Sequence, residues 1–195
     1  MQIPKKECQK LSDEDLVRKS LENIKYFACL FERYEQKLLH YILRISYFPR
    51  EGAEDVLQEA FIKIWKNLNK FDSSLKFSSW AYRIVRNTTI SEWKKTKSRG
   101  KEKQIKIDED AFNNLPSELN LAEQVHKKFS SMEIRKILDD LPKKYSEVLI
   151  LKFLEDKNYR EISDILKKPS GTIATLIHRA KKAFRKKFTS KNISF

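Results

Sequence analysis

The stretch Ala53-Glu54-Asp55-Val56-Leu57-Gln58-Glu59-Ala60-Phe61-Ile62-Lys63-Ile64-Trp65 decides the fold class. From Glu54 to Leu68 its apolar pairs Val56/Leu57, Ala60/Phe61 and Ile64/Trp65, with Leu68, recur every fourth residue, the period of an amphipathic helix with one core-facing stripe. The opposite surface carries Asp55, Gln58, Glu59, Lys63 and Lys66, acidic early and basic late, as the helix macrodipole favours. Such a face is either solvated or a surface for a partner, and the pattern alone admits both.

Outward from this helix, nearly every apolar pattern keeps the same period. Upstream, Ser12 is placed to cap a helix from Asp13, and Ile24, Phe27, Leu30, Phe31, Tyr34 and Leu38 recur at three or four. Pro49 and Gly52 punctuate the chain before the quoted helix. Downstream, Asn69 to Phe77 reads as a polar loop with two aromatics, after which Ser78 or Ser79 caps a helix from Trp80 to about Lys95. That helix turns Trp80, Ala81, Ile84, Val85 and Thr88 inward and presents Arg83, Arg86, Asn87, Lys94 and Lys95. Aromatics interleaved with cations beside a loop suit single-stranded nucleic acid. Core packing of Phe71, Phe77 and Trp80 fits the same residues.

A second helical unit begins near Leu141-Pro142, with Tyr145, Val148, Leu149, Leu151 and Phe153 buried. Asn158-Tyr159-Arg160-Glu161 has the form of a capping box, predicting a short helix with Tyr159, Ile162, Ile165 and Leu166 inward. After the break at Lys167-Lys168-Pro169-Ser170-Gly171, Ser170 caps a last helix that buries Ile173, Ile177, Ala180 and Phe184. Two helices joined so tightly read as a helix-turn-helix, with Thr175, His178, Arg179 and Lys182 opposite the apolar face, toward a major groove. The fold expected is all-α: two small helical domains, at 12–97 and 132–190, joined by a flexible linker over 98–131.

The chain has 195 residues and a net charge of +14. Ile165 to Phe195 holds nine basic residues and no acid, and Lys94 to Lys106 holds seven basic residues and one acid, so these two segments carry the whole excess. From Ile107 to His126 there is no Lys or Arg, and Asp108, Glu109, Asp110, Glu118 and Glu123 make the connector acidic. Two basic patches predict two contacts with a polyanion. The longest apolar run, Tyr26 to Phe31, is six residues, which excludes a membrane-spanning helix. The opening residues lack the apolar core of a secretory signal, so a cytoplasmic setting is expected. Three glycines cannot build a glycine-rich phosphate loop, and widely spaced Cys8, Cys29, His40, His126 and His178 offer no metal-ligand spacing. No cofactor, no metal and no catalytic residue are expected. Cys8 and Cys29 are expected as reduced thiols, neither a disulfide framework nor a redox switch.

Residues Ala53 to Trp65, followed by Phe77-Ser78-Ser79-Trp80-Ala81-Tyr82-Arg83-Ile84-Val85-Arg86-Asn87, resemble the second conserved region of extracytoplasmic-function (ECF) sigma factors. Leu141-Pro142 through Tyr159-Arg160-Glu161-Ile162 to Ser170-Gly171-Thr172-Ile173 and His178-Arg179-Ala180 resemble their fourth. The resemblance implies a transcription-initiation factor that binds RNA polymerase core and directs it to promoters. It implies that Asp55, Gln58 and Glu59 contact the clamp helices of the largest polymerase subunit, an acidic, amide-bearing patch suiting a basic partner. It further implies that Phe71, Asp72, Ser73, Lys76, Trp80 and Asn87 belong to a segment that captures a flipped base of the minus-10 element, with Arg83, Arg86, Lys94 and Lys95 on phosphates of the separated strand. Ser170, Thr172, Thr175, His178, Arg179 and Lys182 would read the minus-35 element, and the helix around Tyr145 to Phe153 would meet the flap of the second-largest subunit. The linker would thread toward the RNA exit path. Family members are commonly held by an anti-sigma factor.

Departures from the family pattern touch specificity. Ala174 and Leu176 replace residues that are often basic or polar on the recognition helix, and Leu176 either meets a thymine methyl or packs on its neighbour. Asp156-Lys157 stands where a glycine is usual, which leaves Asn158 to define the helix boundary. Two other classes stay open on residues alone: a stand-alone helix-turn-helix regulator, and an enzyme acting on nucleic acid with Mg²⁺, for which the Glu54, Asp55 and Glu59 group is the only candidate.

Overall fold

The computed structural model describes residues 3–98 and 131–192. The chain divides into two compact units, Met1–Ile105 and Lys106–Phe195. All regular elements among the described residues are helical, in keeping with the all-α expectation. The expected linker at 98–131, with its acidic stretch and the later part of the first basic patch, lies almost wholly outside the described residues.

The first unit opens with a six-residue helix α1 (Lys5–Lys10) and continues in α2 (Asp13–Glu22). The Ser12 hydroxyl accepts from the Asp15 amide at 3.0 Å, and acids at Asp13, Glu14 and Asp15 fill the first turn, the arrangement that caps and charges a helix start. Asn23 ends α2 in extended backbone and caps a single 3-10 turn, Ile24–Tyr26, through its side chain. Helix α3 (Phe27–Ile45) then runs to Ser46, α4 (Arg50–Lys66) starts after Pro49, and α5 (Phe77–Ser98) follows a 3-10 turn at Leu68–Lys70. Helix α4 thus begins four residues before Glu54, and α5 begins at Phe77, which places Ser78 and Ser79 inside the helix instead of at its cap. Helices α3, α4 and α5 pack on one another around Leu30, Leu38, Ile42, Ala60, Ile64, Tyr82 and Val85, all at most 1% exposed. Ring contacts pin the interfaces: Phe31 to Phe61 at 4.5 Å and Tyr41 to Tyr82 at 4.9 Å between centroids. Ile24, expected on the apolar stripe, is 61% exposed, because the break at Asn23 takes it out of the α3 register.

Cys8 and Cys29 are disulfide-bonded, with Cα atoms 5.5 Å apart across a separation of 21 residues. This corrects the expectation of separate thiols. The proximity comes from α1 folding back against the start of α3, a tertiary relation that spacing along the chain does not encode.

In the second unit α6 (Ser131–Asp139) and α7 (Lys143–Leu149) precede a π-helical turn, Ile150–Leu154. Val148, Leu149, Ile150 and Leu151 are all buried, as is Phe153; consecutive burial of that kind exceeds one face of a regular helix, and the wider π turn accommodates it. Helix α8 (Tyr159–Leu166) and the long α9 (Ser170–Asn192) complete the unit. The capping box forms as expected: the Asn158 side chain accepts from the Glu161 amide and the Glu161 carboxylate from the Asn158 amide, both at 2.9 Å. Tyr159 is 46% exposed instead of inward. It is the first helical residue, and its side chain tilts toward the helix N-terminus, past the packed turn.

A candidate nucleic-acid interface

Three surfaces carry the residues singled out by sequence. On α4, Asp55 and Gln58 are exposed and Glu59 is half-buried; at 100° per residue the three fall within about 100° of arc. Ile62 lies on the same arc and is 53% exposed, so an apolar side chain stands among the acids and amide. Glu59 accepts from Lys63 at 2.6 Å one turn on. That hydrogen bond is the chief reason its carboxyl titrates below the ordinary glutamate range, with the Lys63 and Lys95 charges adding to it.

Between α4 and α5 lies an open cleft of about 530 Å³. Helix α4 and the turn after it contribute Lys63, Asn67 and Lys70; α5 contributes Trp80, Arg83, Ile84, Asn87, Thr88 and Ser91. The α5 members are spaced by three and four, one face of that helix. Lys63 reaches the Thr88 hydroxyl at 3.4 Å, a polar contact that spans the two walls. Three cations and two amides without a carboxylate among the lining residues suit a phosphate and a base edge together, since an amide both donates and accepts.

Of the residues expected at the minus-10 element, the structure brings Trp80, Arg83 and Asn87 to this cleft. Trp80 is only 7% exposed, held in a ring cluster with Phe71 at 5.4 Å and Phe77 at 5.9 Å, so these aromatics are principally core. Asp72, Ser73 and Lys76 stand exposed on the loop before α5, where the Asp72 carboxylate accepts from the Ser74 amide at 2.9 Å. Arg86 and the exposed Lys94 and Lys95 lie on α5 but do not line the cleft, and Lys95 is paired with Glu92 at 2.5 Å. Lys63, Asn67, Lys70, Thr88 and Ser91 line the cleft in addition to the residues expected from sequence. Their signal was present: Thr88 and Ser91 continue the Trp80, Arg83/Ile84, Asn87 row, and Lys63 stands one turn before Asn67.

On α9 the expected duplex-reading residues Ser170, Thr172, Thr175, His178, Arg179 and Lys182 are all exposed, while Ile173, Ile177, Ala180 and Phe184 are at most 4% exposed. The turn that presents them closes through Lys167, a left-handed residue at φ 53°, and through the Ser163 hydroxyl, which donates to the Lys168 carbonyl at 2.5 Å. Ser170 is the first residue of α9 instead of its cap. Ala174 is exposed, whereas Leu176 is half-buried, which favours packing for Leu176. Thr175 donates its hydroxyl to the Gly171 carbonyl at 3.0 Å, leaving its oxygen lone pairs as acceptors. Asp156, where a glycine is usual, is itself left-handed at φ 49°. Among the described residues no cluster of His, Cys, Asp or Glu is placed to hold a metal ion, and no helix is long and apolar enough to cross a membrane.

The sigma-70 region 2 profile matches residues 30–99, and the sigma-70, region 4 profile matches residues 131–184. The chain is 32% identical over 188 residues to the ECF RNA polymerase sigma factor SigW of Bacillus subtilis, covering 89% of this chain and 97% of that one. It is 29% identical over 186 residues to the ECF RNA polymerase sigma-E factor of Haemophilus influenzae, covering 92% and 97% respectively. In fold it is similar to the sigma factor RpoE solved in complex with the anti-sigma factor NepR from Bartonella quintana, with a TM-score of 0.63, 19% identity, and coverage of 85% of this chain and 98% of that one.

Proposed function

The chain belongs to the extracytoplasmic-function sigma factors, and from that membership we propose how its surfaces divide the work of promoter recognition. A sigma factor is a binding subunit without chemistry of its own: it joins RNA polymerase core and directs initiation to particular promoters. The first unit, over 12–97, acts as the region 2 domain and the second, over 132–190, as the region 4 domain, with 98–131 as the linker toward the RNA exit path. The α4 face of Asp55, Gln58 and Glu59 meets the clamp helices of the largest polymerase subunit, and Ile62 adds the apolar centre that interfaces commonly need.

The α4–α5 cleft receives an extruded base and its phosphates from the minus-10 element. A few kcal/mol are needed to unstack each flipped base, and the cations of the cleft offset part of that cost. The exposed row on α9 enters the major groove of the minus-35 element, and the helix at Tyr145 to Phe153 meets the flap of the second-largest subunit. An anti-sigma factor holds the free protein in the cytoplasm. The observation that carries this reading is the cleft itself, a carboxylate-free wall of Lys63, Lys70 and Arg83 with Asn67 and Asn87.

Run-off transcription on a genomic promoter pool, with core polymerase of the same organism, tests it. The expected result is initiation at discrete start sites only when the protein is added. Failure to initiate, together with stable specific binding of duplex promoter by the free protein, would instead mark a stand-alone helix-turn-helix regulator.

A further inference from the structure

The segment 3–29 lies before the region 2 match at 30–99, and it contains a pair of sulfurs that promoter recognition does not use. We propose that Cys8–Cys29 is a thiol–disulfide exchange site, open to a small thiol or dithiol reductant, whose bond latches α1 onto α3. The bond joins a helix that buries no side chain to one that is core. A six-residue helix is far too short to persist without tertiary support. Polar ties accompany the bond: Tyr26 donates to Glu7 at 2.7 Å, and Arg33 donates to the Cys8 and Leu11 carbonyls at 2.6 and 3.0 Å.

Access is built in. A pocket of about 270 Å³ reaches both cysteines, with Lys5, Lys25 and Glu32 on its wall. Cys8 is half-buried while Cys29 is 4% exposed, so an incoming thiolate attacks the Cys8 sulfur and Cys29 leaves as a thiolate. The second thiol of a dithiol, or a second monothiol, then attacks the mixed disulfide. Two electrons and two protons pass to the cysteine pair, and the reductant becomes a disulfide. In the compartment where polymerase works, thiols are kept reduced and protein disulfides are typically transient or redox-sensing. That step alone rests on the sigma-factor reading; the exchange chemistry does not.

The test uses the full purified chain in glutathione buffers of graded poise, with alkylation, mass spectrometry and limited trypsin digestion. The expected result is a Cys8–Cys29 bond in oxidising buffer and two alkylated cysteines in reducing buffer. Cleavage after Lys5, Lys6 and Lys10 should quicken on reduction by on the order of tenfold, as for a segment released to local opening. The Cys8→Ser variant should digest at the reduced rate in every buffer. Two free thiols at every poise, or digestion indifferent to the bond, would overturn the proposal. Transcription is not among these readouts, so failure of the sigma-factor reading leaves the result intact and the reverse also holds.

Discussion

The Glu59 carboxylate accepts a hydrogen bond from the Lys63 ammonium at 2.6 Å, and that same lysine lines the cleft on the α5 side of the helix. One ion pair therefore joins the acid-bearing face of α4 to its cation-bearing face. The pair is more than a third exposed on both side chains, so its worth to stability is under about 1 kcal/mol after solvent screening. The Glu59 carboxyl is held low chiefly by the Lys63 hydrogen bond. A depressed carboxyl contributes stability that is fully present above its ordinary unfolded value and is lost as pH falls from there through the folded value. Lys63→Met should leave the melting temperature near neutral pH nearly unchanged. It should flatten the salt dependence of single-stranded DNA binding by about 0.7 in log–log slope, measured by fluorescence anisotropy with holoenzyme.

Asp55→Ala combined with Glu59→Ala should weaken association with core polymerase and leave duplex binding by the second unit intact. Ile62→Ala should act in the same direction, costing about 1–2 kcal/mol of core affinity as a buried interface anchor does. Because Ile62 is 53% exposed in the free chain, its loss should change folding stability by less than about 0.5 kcal/mol. Surface plasmon resonance against core, paired with thermal melts, separates the two effects. Equal loss of core binding and of folding would place Ile62 in the structure and not in the interface.

Asn87→Ala should impair binding to the non-template strand of a pre-melted minus-10 element while leaving fully duplex DNA affected little. Asn87 sits exposed one turn from Arg83, so removing the amide takes away a base-edge partner without disturbing the core. Unchanged binding to the pre-melted probe would remove Asn87 from the pocket.

Lys167→Gly should stabilise the second unit by about 1 kcal/mol, the cost of holding a side chain in the left-handed region. The residue lies at φ 53° in the turn between α8 and α9. In contrast, Asn158→Ala should cost about 1 kcal/mol by dismantling the capping box. Denaturant unfolding followed by circular dichroism checks both signs; duplex affinity should be unchanged by Asn158→Ala and lowered by Lys167→Gly only through the loss of one cation.

Periodicity made much of this legible. The paired apolar residues from Val56 to Trp65 specify α4, and Asn158 with Glu161 marks the start of α8, because both signals are local in sequence. What was not legible depends on neighbours. Trp80 reads equally as core or stacking platform until Phe71 and Phe77 are seen around it. Tyr159 matches the inward stripe yet is the first residue of its helix and stays 46% exposed. Cys8 and Cys29 are joined by the packing of α1, which leaves no trace in their spacing. Lys63 reads as part of a solvated or partner-facing surface until α5 is seen beside it, because a helical wheel of α4 does not show where α5 stands.

Helix α4 is the common wall of two proposed contacts, with Asp55, Gln58 and Ile62 on one side and Lys63 lining the cleft on another. A helix with its side chains is about 10–12 Å across and does not stretch. On that proposal the offset between polymerase clamp and captured strand is a built-in gauge, set by the thickness of a single rod. A change of length in residues 98–131, the proposed linker, should therefore leave the proposed position of strand capture relative to the enzyme where α4 puts it.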